Sequence, residues 1–143
     1  MACFYKTPPD DQEKVVMPSY TLIKVLVHFC QPIQIIYTYL HGSAKYEDYI
    51  RDINRWTEHC RYPTAVIGDM NWHYPQDHEM KKYMAHNGFE QLVEKPTHDM
   101  GHLLDHIYVN ADLNNMGVEI FQKPVHFSDH DVIFLKIKGC FDD

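Results

Sequence analysis

The stretch Thr64-Ala65-Val66-Ile67-Gly68-Asp69-Met70-Asn71, residues 64–71, decides how the rest of the chain is read. Thr64 to Ile67 is a short apolar run that stops at a glycine, so it reads as a buried strand. Its carboxyl end then delivers two polar side chains, Asp69 and Asn71, into a loop. In open α/β sheets the crevice beyond the carboxyl ends of the strands is where chemistry is kept.

Upstream of this run, Tyr46, Tyr49, Ile50, Ile53 and Trp56 recur at three- and four-residue steps, which predicts an amphipathic helix with one apolar face. Ser43 is its expected cap, with Glu47 and Asp48 early and Arg51, Arg55 and Arg61 late, as the helix dipole favours. Further upstream, Ala2 to Tyr5, Tyr20 to Phe29 and Ile33 to Leu40 are rich in aromatic and β-branched residues and read as three strands. Downstream, a second helix over Asp77 to His86 is expected to stop at Asn87-Gly88. Phe89 to Val93, Leu103 to Val109, Val118 to Phe121 and Val132 to Ile137 follow as strands. The expected class is α/β, a mixed sheet flanked by helices.

At 143 residues, 45% of them hydrophobic and 13% aromatic, the chain can bury a core of its own and is too short for two ordinary domains. It is read as one domain spanning residues 1–143. The most apolar window, Thr21 to Leu40, is interrupted by Lys24, His28, Gln31, Pro32 and Gln34 and reads as core strands, not a membrane span. Cys3, Cys30, Cys60 and Cys140 are scattered without a C-x-x-C pair, and no secretory leader is recognised. An intracellular compartment, nuclear or cytoplasmic, is the expectation. The net charge of −7 argues against a domain that coats nucleic acid, because nonspecific affinity comes from lysines and arginines on phosphates. It leaves room for a nuclease, whose metal-holding carboxylates push the count negative.

Three short segments carry the chemistry: Gly68-Asp69-Met70-Asn71, Leu104-Asp105-His106 and Ser128-Asp129-His130. Each alone is weak, since an Asp after a strand is more often a turn or cap residue than a catalyst. Together, in this order and at strand boundaries, they resemble the endonuclease/exonuclease/phosphatase superfamily, whose motifs read G-D-x-N, then a strand beginning L-D, then S-D-H before a final strand. Lys95-Pro96-Thr97-His98 with Gly101-His102-Leu103-Leu104-Asp105 resembles the P-T-H and L-D segment of members encoded by mobile elements. The resemblance runs from about Ala2 to Ile137.

What the resemblance implies is Mg²⁺-dependent hydrolysis of a phosphodiester, in which water is oriented and deprotonated while charge builds on the phosphoryl oxygens. Asp69 is implied as the group that activates the water, with Asn71 as its partner in holding water and phosphate. His130 is implied as the hydrogen-bond donor to the scissile phosphate, with Asp105 holding its tautomer. Asp129 is implied as a metal ligand or as a group that supports one, and Tyr39, at the end of the third strand, as a tyrosine near the phosphate. For Tyr39 a core role is an equal reading. An oxygen-rich, cysteine-free set of this kind suits Mg²⁺, with Mn²⁺ as a substitute. Trp72 and His73 either line the cleft, where an indole can stack on a base, or pack as loop residues.

Two other readings of the same residues are weaker. His98, His102 and His106 recur every four residues and would share a helical face as a zinc site, but Pro96, Gly101 and the strand-like Ile107-Tyr108-Val109 argue against a helix there. Ser128, Asp105 and His130 form a nominal serine triad without the strained G-x-S-x-G elbow.

The sequence also departs from the family. Full-length members carry an additional amino-terminal portion with an Asn near the phosphate and a Glu that is the principal metal ligand; neither motif is recognised here, and Glu13 falls in a polar segment read as a loop. The expectation is the carboxyl-terminal portion of a four-layer α/β sandwich, with weakened metal binding and an unpaired sheet edge open to self-association. The leading function is a nuclease of mobile-element type acting on nucleic acid, DNA before RNA. The alternatives are a catalytically inactive interaction module that keeps the fold, and a phosphatase or phosphodiesterase acting on another phosphoester.

Overall fold

Period-two alternation builds the sheet, and the positions where it breaks set its edges. The computed structural model describes residues 11–28, 31–41, 46–58, 62–74, 79–93, 95, 97–98 and 103–138. Along the chain run β1 (Asp11–Met17), β2 (Tyr20–His28), β3 (Pro32–Leu40), α1 (Tyr46–Thr57), β4 (Thr64–Tyr74), α2 (Glu79–His86), β5 (Phe89–Gln91), β6 (Leu103–Asn110), α3 (Ala111–Asn115), β7 (Val118–Lys123) and β8 (Val132–Ile137). Six strands form one mixed sheet in the order β1-β2-β3-β4-β6-β5, and β7 and β8 form a separate two-stranded ribbon. The α/β class is as the sequence predicts.

β3 and β4 are the parallel neighbours, in register from Gln34↔Thr64 to Tyr39↔Asp69. Parallel strands cannot be joined by a tight turn, and α1 supplies the crossover. Its apolar face, Tyr49 and Ile53, is fully buried against Tyr20, Leu22, Ile36, Leu40, Val66 and Tyr108, with Met84 of α2 and Phe89 of β5 completing that core. The opposite face of the same sheet contributes Ile33, Ala65, Ile107 and Val109, packed with Leu113 of α3 and covered by Val118, Ile120, Ile133, Leu135 and Ile137 of the ribbon. Both faces are therefore covered, one by helices and one by a β-ribbon. The ribbon turns Phe121 and Phe134, cross-strand partners, toward solvent at 48% and 54% exposure.

Several boundaries differ from the sequence reading. The segment around Glu13, read as a loop, is strand β1, paired along its length with β2 from Asp11↔Leu26 to Met17↔Tyr20. Its charged residues hide it: they are tolerated because β1 is the edge strand among the described residues, and Glu13 Oε1 meets Lys24 Nζ at 3.0 Å across the pair. β4 does not end at Ile67 but continues through Gly68-Asp69-Met70-Asn71 to Tyr74, since Asp69 pairs with Asp105 and Tyr74 with Leu103. α3 was not foreseen; Asn110 caps it, its Oδ1 accepting from Leu113 N and from Thr64 N, each at 3.0 Å. α2 ends, as read, at Asn87-Gly88, where Gly88 takes φ 82°. The strand expected at Ala2 to Tyr5, the cap Ser43 and the residue His102 lie outside the described residues.

Candidate active site

Asp69 and Asp105 face each other directly across β4 and β6. Two like charges in opposed positions on one sheet face repel, and a sheet keeps such a pair only when something sits between them. Counting by twos from Ala65 and Val109 puts both carboxylates on the face covered by the β7–β8 ribbon, at the end where β4 leaves its apolar run. The segment entering β8 brings His130 to that spot. Its Nδ1 donates to Asp105 Oδ2 at 2.8 Å, and its Nε2 lies 3.7 Å from Asp69 Oδ2. One imidazole thus bridges both carboxylates. Burial alone would pull the His130 pKa down, but the Asp105 hydrogen bond and the charges of Asp105, Asp69 and Asp129 outweigh it and raise the ring above its ordinary value.

One threonine positions both arms of this arrangement. Thr97 is fully buried, and its Oγ1 accepts from Leu104 N at 3.1 Å and Asp105 N at 3.0 Å. Its carbonyl accepts from Asp131 N at 2.7 Å, which ties the His130 segment to the same point. Next to it, His98 and His130 form an isolated antiparallel bridge and stack edge to face with ring centroids 5.1 Å apart. Thr97→Val should therefore cost about 1–3 kcal/mol, the penalty of stranding buried amides, whereas Thr97→Ser should cost less. Urea unfolding of both variants measures it, and equal costs would mean that the hydroxyl is not what matters.

Gly68 permits the turn of the strand into the site. It holds φ 142°, and a Cβ there would lie 1.9 Å from the carbonyl oxygen of Thr38, its partner on β3. Only glycine lets β4 approach β3 this closely while presenting Asp69 one residue later.

The remaining residues singled out from sequence fall as follows. Tyr39 is in register with Asp69 on the neighbouring strand, half-buried, with its ring 5.0 Å from that of His41. Asn71, Trp72 and His73 lie on β4, and their side chains fall outside the described residues. Ser128 is no nucleophile paired with a base: its Oγ accepts from the backbone N–H of His130 at 3.1 Å. His106 lies on β6, not on a helix with His98, and is buried against the Tyr108 hydroxyl at 3.0 Å. Glu13 is held at the sheet edge, where Oε2 accepts from the Trp56 indole at 3.2 Å. Thr97 enters the sequence reading only within a resembling segment, and His98 there and in the weaker zinc reading with His102 and His106; their part in the site depends on the bridge to residues 130 and 131.

Asp129, the expected metal ligand, is 63% exposed and accepts from His98 Nε2 at 2.9 Å, a hydrogen bond that lowers its pKa. Two overlapping groups have donor atoms within 4.8 Å of one another: Asp69, Asp105 and His130, and His98, Asp129 and His130. The first, with two carboxylates, fits the oxygen preference of Mg²⁺ or Mn²⁺. The second, with two imidazoles, does not.

No protein-family model and no curated protein sequence matches the chain. Among solved structures it is similar to the endonuclease domain of TRAS1, a telomere-specific non-LTR retrotransposon, with a TM-score of 0.69 and 17% identity over 90% of this chain and 68% of that one. It is also similar to an endonuclease/exonuclease/phosphatase family protein from Leptotrichia buccalis C-1013-b, with a TM-score of 0.63 and 13% identity over 92% of this chain and 61% of that one. At these identities the likeness is one of fold, which the chain shares with both structures.

Proposed function

We propose that this chain, built on the endonuclease/exonuclease/phosphatase fold, hydrolyses phosphodiester bonds in nucleic acid with the help of a divalent cation, as an endonuclease of mobile-element type. The observation that carries the reading is the His130 imidazole held between the carboxylates of Asp105 and Asp69. A phosphodiester needs a base for its water and a cationic donor for its developing charge, and these two functions are placed side by side here.

Asp69 orients the attacking water and takes its proton, with Asn71 two residues further along the same strand as its partner. Asp105 holds the proton of His130 on Nδ1 and favours the charged ring, so that Nε2–H donates to a phosphoryl oxygen. Tyr39, in register with Asp69, would approach the phosphate from the adjoining strand. Mg²⁺ or Mn²⁺, when bound, supplies positive charge to the phosphoryl oxygens, and Asp69 and Asp105 would hold it. The net charge of −7 makes such a cation more necessary, because the acidic chain otherwise repels a polyanion. DNA is favoured over RNA by the likeness to a retrotransposon endonuclease domain.

The test is cleavage of nicked, abasic and single-stranded polynucleotides by the purified chain. Activity that needs Mg²⁺ or Mn²⁺, stops with EDTA and ignores serine-directed reagents is expected. Binding of these substrates without any cleavage at saturating cation would overturn the enzyme reading in favour of an interaction module.

A further inference from the structure

We propose that His98, Asp129 and His130 form a second cation site, selective for a late first-row divalent ion such as Zn²⁺. The site differs in chemistry from the Asp69/Asp105 pair. One donor atom from each of the three residues lies within 4.8 Å of the others. Around a tetrahedral Zn²⁺ with bonds of about 2.0–2.1 Å, donors sit about 3.3 Å apart, so the 2.9 Å gap between His98 Nε2 and Asp129 Oδ2 opens by only about 0.4 Å. The metal takes the place of the proton on His98 Nε2, and the neutral ring carries that proton on Nδ1 instead.

Two further features match what an imidazole ligand needs. The rings stand on backbone segments already joined, by the His98↔His130 bridge and by Asp131 N on Thr97 O at 2.7 Å, so little ordering is left to the metal. His130 also has its Nδ1–H on Asp105 at 2.8 Å, which leaves Nε2 as the lone pair for a metal, in the carboxylate–histidine–metal arrangement that orients ligands elsewhere. Two imidazoles and one carboxylate favour Zn²⁺ over Mg²⁺, which prefers oxygen and gives up water reluctantly. Asp129 faces solvent and leaves the fourth position to water. The nitrogen that would bind Zn²⁺ is the one 3.7 Å from Asp69, so an occupied site withdraws His130 from the phosphate. That inhibitory consequence rests on the function proposed above; the binding does not.

Zn²⁺ titration of the full chain against a chromophoric chelator, with thermal unfolding in parallel, tests the site directly. One Zn²⁺ should bind and raise the midpoint, and His98→Ala and Asp129→Asn should each weaken binding on the order of 100-fold. Glu13→Gln, on β1 at the far side of the sheet, should keep affinity within about threefold. His98→Gln and the visible absorption of bound Co²⁺ provide the same comparison if His98→Ala does not fold. Unchanged Zn²⁺ affinity in both His98 variants, or equal loss in Glu13→Gln, overturns the proposal. Binding that follows the expected pattern without inhibiting nucleic-acid cleavage would leave this site intact and count against the function assigned to His130.

Discussion

His130→Ala is expected to lower kcat for polynucleotide cleavage by about 10²–10⁴-fold while leaving KM within about threefold. In the function proposed above, the asymmetry follows from when the ring acts. In the ground state the phosphate can be held by the cation and by other donors. As the bond to the leaving oxygen breaks, charge grows on the phosphoryl oxygens, and a donor prepared by Asp105 at 2.8 Å gains strength at that moment. Removing the ring also leaves Asp69 and Asp105 opposed with nothing between them, so stability must be followed alongside turnover. His130→Gln keeps a donor for Asp105 without a second ring nitrogen toward Asp69, and should lose kcat with less loss of stability. Steady-state kinetics with urea unfolding on both variants separate the cases, and equal losses in KM and kcat would make His130 a structural histidine.

Gly68→Ala is the second large effect, on stability instead of chemistry. The added methyl would lie 1.9 Å from the Thr38 carbonyl oxygen, and at φ 142° the backbone itself resists a side chain. The atom in the way is backbone of the paired strand, so it cannot swing aside as a flexible side chain would. Relief requires β3 and β4 to separate where their register ends at Tyr39↔Asp69, and the carboxylate is lost from the site as the strands part. A cost of about 3–5 kcal/mol, combining strain and overpacking, is expected, enough to unfold a marginally stable domain. Gly88→Ala serves as the control, because it shares a positive φ of 82° and has nothing within 4 Å of the added methyl. Thermal unfolding that finds the two substitutions equally costly would mean that the clash at Thr38 is relieved and that conformation alone sets the penalty.

The elements that were legible in the sequence are those whose pattern reports their own surroundings. Tyr49 and Ile53 repeat with the period of a helix because one face of α1 is buried, and β2, β3 and β8 show their apolar residues for the same reason. β1 was missed because, among its described side chains, Val15 alone packs against the core, too little to impose alternation, and its Asp11-Gln12-Glu13-Lys14 start looks like a loop. The end of β4 was missed because Gly68-Asp69-Met70-Asn71 has turn chemistry locally, while its strand geometry comes from pairing with β6, thirty-odd residues away.

The same division runs through the site. Sequence alone, through three short motifs beside strand ends, named Asp69, Asp105 and His130 and the chemistry for which an Asp, an Asp and a His are suited, because residue type and position beside a strand are local properties. Distance is not. That Asp69 and Asp105 stand directly opposed, that His130 bridges them, and that Thr97 and His98 lock the arrangement were decided by strand register and by one backbone bridge, His98↔His130. Register is set by how both faces of the sheet find cover, a property of the whole chain that no window of a few residues contains.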